Sequence, residues 1–227
     1  MELWITITFI AAFLQNIRSS LQKYLKGAMG TTGATFVRFG FGMPFVLLLM
    51  GLLHFWIGYE FPLIGARFLT WMALGALSQI AATFLLVHLF SFRNFAVGTA
   101  YSRTEPAQAA LFGLLFLGER ITPAVIAAIA ICVIGVMLIS VARTQITPRS
   151  LFTSIGQPTA VIGIISGAGF GFSAVAYRAA SLSLGGPNFL MQGAVTLAFA
   201  ITFQTLVMAL WMVLREPEQF ALIRRAW

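Results

Sequence analysis

Apolar residues run along this chain in stretches of about 20, the length an α-helix needs to cross a bilayer. They fall at 3–22, 32–57, 69–91, 94–117, 123–142, 159–181 and 188–214, predicting seven transmembrane helices. The connections are short, so consecutive helices are expected as antiparallel neighbours. The first stretch reads as a span rather than a signal peptide, because no basic region precedes it and Gln15, Asn16 and Arg18 interrupt its C-terminal part. Polar and glycine-rich breaks mark the limits. Gly27, Gly30 and Gly33 surround a predicted first turn, and Glu60-Phe61-Pro62 closes the second span. Thr122-Pro123 reads as an N-cap followed by proline at the first helical position, and Gly185-Gly186-Pro187-Asn188 separates the sixth span from the seventh.

The longest connection, 143–158, holds Pro148 and Pro158 and reads as a linker between two halves. Shifting the chain by 156 residues lays spans one and two over spans six and seven. Ala12 then meets Ala168, Gly30 meets Gly186, Glu60 meets Glu216 and Trp71 meets Trp227. The expected organisation is five helices in 1–142, a linker over 143–158 and two helices in 159–227. A five-plus-five protein lacking three helices would have this outline.

Composition agrees with a lipid environment. Of 227 residues, 59% are apolar and 9% charged, with mean hydropathy +0.93, where a soluble domain carries about 25% charged residues. The fold class expected is an all-α integral membrane protein, a polytopic helical bundle. The six acidic residues are all glutamates, which excludes aspartate-based magnesium motifs, EF-hand loops and aspartyl-phosphate chemistry. Lys23 and Lys26 are the only lysines. Neither belongs to a phosphate-binding loop, and neither lies in a late helix where a retinal linkage would need it. His54 and His88 have no cysteine cluster or aspartate beside them, so no metal and no cofactor are expected. Cys132 falls within an apolar run as a small buried thiol. The net charge of +8 sits at the span ends, as topology signals and lipid-headgroup contacts rather than a nucleic-acid surface.

Charge at bilayer depth is costly, which singles out Tyr101-Ser102-Arg103-Thr104-Glu105-Pro106 in the fourth span. On an unbroken helix Arg103 and Glu105 point about 200° apart, so each needs a partner elsewhere or a wet cavity. Tyr101, Glu105 and Gln108 share one face at spacings of four and three. Pro106 frees the carbonyl of Ser102 and kinks the helix, the form that transporter binding sites take near the bilayer midplane. Two readings stand. Glu105 binds a substrate amine or a coupling proton, with Tyr101, Gln108, Arg103, Gln15, Asn16 and Gln79 around the solute. Alternatively, Glu105 pairs with Arg18 or Arg38 and locks the bundle. Gln79 also reads as interhelical glue, Arg18 and Arg38 as snorkelling cations, Tyr177 and Arg178 as interfacial anchors, and Gln192 and Gln204 as further cavity candidates. Gly163, Gly167 and Gly171 form a ridge for close helix packing.

The stretch 100–140, with Pro106, Leu117-Gly118-Glu119-Arg120 and the small-residue helix ending Cys132-Val133-Ile134-Gly135-Val136-Met137-Leu138-Ile139, resembles the end of an EamA domain of the drug/metabolite transporter superfamily. Asn16 and Arg18 closing the first helix, and Phe36-Val37-Arg38-Phe39 opening the second, are similar to its start. The resemblance implies a part of a 5+5 inverted-repeat fold, helices of both halves around a central cavity, and export or exchange of small metabolites across the inner (plasma) membrane. It also implies cytoplasmic termini, whereas eight basic residues, Lys23, Lys26, Arg93, Arg143, Arg149, Arg215, Arg224 and Arg225, fall on the side opposite the N-terminus, against Arg67, Arg120 and Arg178 on the other.

Together these features favour a non-enzymatic secondary transporter whose partners are a small-molecule solute and membrane lipids. An inactive remnant, or one half of a split or self-associating transporter, is the alternative. An intramembrane enzyme lacks a supporting serine–histidine motif.

Overall fold

The computed structural model describes residues 3–92, 95–120, 122–141, 156–186 and 188–226, and every regular element among them is a helix. These are α1 (Leu3–Gly40), α2 (Met43–Phe55), α3 (Ala66–Leu89), α4 (Phe95–Ser102), α5 (Glu105–Leu117), α6 (Pro123–Val141), α7 (Pro158–Ser183), α8 (Phe189–Arg215) and α9 (Glu218–Ala226). Among the described residues four segments are long and apolar enough to cross a membrane: Ile5–Phe55, Ala66–Leu89, Pro158–Ser183 and Phe189–Arg215, with shorter apolar helices beside them. The third, fifth, sixth and seventh expected spans thus correspond to α3, α6, α7 and α8. Most of the expected linker, 142–155, lies outside the described residues, as do Arg93 and Trp227.

The first turn, expected over 27–33, falls at Gly30 (φ 74°, ψ −172°), the non-helical residue at which the two helical stretches of α1 meet across a kink. Continuous helix from Arg18 to Arg38 would hold them about 30 Å apart, so this kink is what lets both side chains face one cavity. The second expected span, 32–57, breaks instead at residues 41–42, between α1 and α2. The fourth, 94–117, is two short helices: α4 stops at Ser102, Arg103 and Thr104 form a turn, and α5 restarts at Glu105 with Pro106 in its first turn.

Capping follows local chemistry. Thr122 Oγ1 accepts from Val125 N (3.3 Å) at the start of α6. The Asn188 carboxamide oxygen accepts from Leu190 N and Met191 N at the start of α8. Gly118, in the left-handed region (φ 66°, ψ 25°), ends α5 with its N–H on the Gly113 carbonyl, the conformation in which glycine carries no Cβ penalty. The following Glu119 pairs with Arg178 at 2.9 Å, tying this turn to α7.

The centre of the bundle is α7, packed against α3, α4 and α5. Lipid supplies no hydrophobic drive between helices, so small residues and interhelical hydrogen bonds decide which ones meet. The glycine ridge of α7 meets the broken helix: a Cβ at Gly163 would overlap the Gly98 carbonyl, and one at Gly167 would stand 2.9 Å from the Ser102 carbonyl. On the α3 side, Ser166 Oγ donates to the Ala82 carbonyl (2.8 Å) and Ser78 Oγ to the Gly169 carbonyl (2.9 Å). Leu53, Phe68, Met72, Ala180, Leu184, Met191 and Val195 join α2, α3, α7 and α8 in the largest buried cluster. The amphipathic α9 lies on α1, with Leu222 and Ile223 against the buried Met29 and Ala34 and with Arg224 and Arg225 exposed.

Candidate functional site

Four helices converge on a cavity of about 480 Å³ lined by Gln15, Arg18 and Arg38 of α1, Gln79 of α3, Glu105 of α5 and Tyr177 of α7, with Phe170 and Ser173 on the same wall. The break in the fourth span creates this arrangement, because it places Glu105 at the first position of a new helix rather than partway along an old one. The glycine ridge then draws α4 and α5 against α7, carrying Glu105 beside the wall that Phe170, Ser173 and Tyr177 form.

A buried hydrogen-bond network forms one side. Gln204, fully buried on α8, donates to Gln79 Oε1 (2.7 Å) and to the Tyr177 hydroxyl (2.9 Å), and that hydroxyl is 3.0 Å from Gln79 Oε1. Arg38 Nη1 donates to Thr83 Oγ1 (2.9 Å), with its guanidinium 5.6 Å from the Phe39 ring centroid and 5.3 Å from that of Phe170. Cation–π contacts of this kind hold the planar group in place without neutralising it. An adjoining cavity of about 480 Å³ shares Arg18, Arg38, Gln79 and Tyr177 and opens towards Thr196 and Gln204 of α8.

No ion pair within 4 Å joins Glu105 to Arg18, Arg38 or Arg103; among the described residues the ion pair is Arg178–Glu119. Arg18 and Arg38 on the cavity wall and Arg103 beside it are instead all within electrostatic reach of Glu105. The locking pair expected as one reading of Glu105 is therefore not formed. A lone charge at bilayer depth costs about 2.5–3.5 kcal/mol, so the three that line the cavity, Arg18, Arg38 and Glu105, call for water or a solute between them.

The expected residues divide into two groups. Gln15, Gln79 and Glu105 line the cavity together. Tyr101 and Gln108 lie outside its lining, against the expectation of a shared face. Tyr101 is buried beside Val136 and Ala160, and Gln108 Nε2 donates to Thr104 Oγ1 (2.7 Å) and the Ile164 carbonyl (3.3 Å). The shared face assumed continuous helix from 101 to 108, and the turn at 103–104 resets the helical phase. Arg103 donates to Asn16 Oδ1 (3.2 Å), and with Glu105 it lines a narrow crevice next to the cavity. Asn16 lines neither.

Arg18, Arg38 and Tyr177, read from sequence as interfacial side chains, are central here. The available signal was the polar run Gln15–Arg18 and the isolated Arg38 within an apolar segment. Gln192 donates to the Gly185 and Gly186 carbonyls (2.8 and 2.9 Å), closing the end of α7 instead of facing the polar cavity. A larger cavity of about 530 Å³ at one end of the bundle, lined by residues 58–63, 184–186, 188, 191 and 192, has Glu60 as its charged lining residue among the described residues.

Against known proteins, the profile of the EamA-like transporter family matches residues 2–141. The chain belongs to the EamA-like transporter family. No curated protein and no solved structure matches it. Membership makes the chain a multi-pass membrane protein of a transporter family, with a small-molecule solute and membrane lipids as partners. The matched segment contributes Gln15, Arg18, Arg38, Gln79 and Glu105 to the cavity, while Tyr177 and Gln204 come from beyond it.

Proposed function

We propose that the chain is a secondary transporter, an exporter or exchanger of small organic metabolites in the inner (plasma) membrane, and that the cavity around Glu105 is its solute site. The observation carrying this reading is the meeting of Gln15, Arg18, Arg38, Gln79, Glu105 and Tyr177 from four helices around one space. Spanning helices hold ionisable residues at depth for substrate or proton pathways, and a discontinuous helix beside the space is the usual form of such a site. Glu105 is the coupling group: it takes up a proton in one state of the cycle and releases it in the other. Residues 1–142 form one five-helix repeat, 143–158 the linker and 159–227 two helices of a second. The positive φ of Gly30 (74°) and of its shifted counterpart Gly186 (98°) supports that correspondence. Ala11 and Leu14 are exposed on the cavity rim, and further helices, from a second copy or another polypeptide, complete the wall there.

The test is transport in proteoliposomes at several pH values. Glu105→Gln is expected to abolish transport or its pH dependence while leaving insertion into the membrane intact. Unchanged kinetics across that pH range would remove Glu105 from the mechanism.

A further inference from the structure

Cationic and acidic groups are unequally represented around the cavity. Among the described residues Arg18 and Arg38 face it with Glu105 as the only acidic lining residue, leaving one positive charge in excess when all three are ionised. Neither arginine has a carboxylate within 4 Å among the described residues. The hydrogen-bond partner of Arg38 is the neutral hydroxyl of Thr83, and a guanidinium has five N–H donors to satisfy. The Arg18 side chain makes no hydrogen bond among the described residues, and the two guanidiniums lie close enough to repel one another. The neighbouring amide adds to the same polarity. Gln79 Oε1 is engaged by Gln204 and Tyr177, so the N–H₂ end of Gln79 is the one left for a solute. The wall is thus rich in donors and poor in acceptors.

We propose that the cavity takes an organic anion, whose carboxylate or phosphate group is held between Arg18 and Arg38. The inference rests on the reading of this cavity as the transport site. Arginine forks match both oxyanions, and about 480 Å³ suits a solute of metabolite size. Glu105 opposes the anion electrostatically when ionised, so binding tightens when that charge is absent.

The experiment uses the full chain in phosphatidylcholine nanodiscs, where no anionic headgroup competes, and follows its thermal unfolding with succinate, glycerol 3-phosphate or putrescine at constant ionic strength. Succinate or glycerol 3-phosphate is expected to raise the midpoint saturably, and putrescine to leave it unchanged; which of the two anions acts identifies carboxylate or phosphate as the held group. Arg18→Gln and Arg38→Gln are expected to weaken anion binding at least about tenfold, Arg38→Lys to weaken it less, and Glu105→Gln to strengthen it. The Glu105 variant guards against loss of fold, because its effect has the opposite sign. Stabilisation by putrescine alone, by added phosphatidylglycerol alone, or by the anions equally in the arginine variants would overturn the proposal. Efflux of the same labelled solutes from proteoliposomes separates the two readings. Movement of putrescine without the anions sinks only the anion inference, whereas movement of none counts against both it and the transporter reading.

Discussion

Gln204 has no exposure and sits where three helices meet, bonded to Gln79 and Tyr177. Interhelical hydrogen bonds in membranes are worth about 0.6 kcal/mol on average and about 1.7 at most. Gln204→Leu is therefore expected to lower unfolding free energy by about 1 kcal/mol in mixed micelles, while freeing Gln79 and Tyr177 to shift into the cavity. A loss several times larger would mean that the network carries the fold and does more than position the site. The Glu119–Arg178 pair is weaker than its 2.9 Å separation suggests, because its side chains are 37% and 62% exposed. Exposed pairs contribute about 0–1 kcal/mol, so Glu119→Gln should barely change the unfolding midpoint, despite the prominence of Leu117-Gly118-Glu119-Arg120 in the sequence.

At the level of helices, the decisive contact is the glycine ridge of α7 against α4 and α5. Gly163→Ala drives a methyl group into the Gly98 carbonyl, and overpacking of this kind costs about 1–3 kcal/mol. At Gly135 in α6 an added methyl group would meet nothing within 4 Å, so Gly135→Ala should stabilise by about 0.5–1 kcal/mol through reduced backbone entropy. Opposite signs for these two glycine-to-alanine changes, measured by unfolding in the same micelles, are the expected result. Equal effects would mean that α7 does not seat the broken helix as described. The ridge was legible in the sequence from its four-residue spacing, but its partner was not, because any helix with small residues could have filled that role.

For the whole molecule, the cavity should be wet although the helices around it are apolar. After replacement of Cys132, the single cysteine, Gln15→Cys on the cavity wall is expected to react with a membrane-impermeant thiol reagent. Phe13→Cys, two residues away and 66% exposed on the outer flank of α1, should stay protected by lipid. Equal protection of both would show that water does not reach the cavity, and proton coupling through Glu105 would lose its basis.

Several features of this protein depend on sequence alone. Uninterrupted apolar stretches fix it in a membrane, the absence of aspartate excludes whole classes of chemistry, and the cost of charge in lipid singles out Glu105 before any contact is known. These conclusions need only composition and the free energy of transfer, which are properties of single residues and short windows. Tertiary structure decided the rest. The turn at Arg103–Thr104 took Tyr101 and Gln108 off the cavity wall, since helical phase survives only while the helix is continuous. Arg18, Arg38 and Tyr177 became lining residues because α7 brings α1, α3 and α5 around one space. The sequence pattern records which side chains are polar, but their convergence depends on packing between segments up to 162 positions apart, from Gln15 to Tyr177, and no local periodicity encodes it.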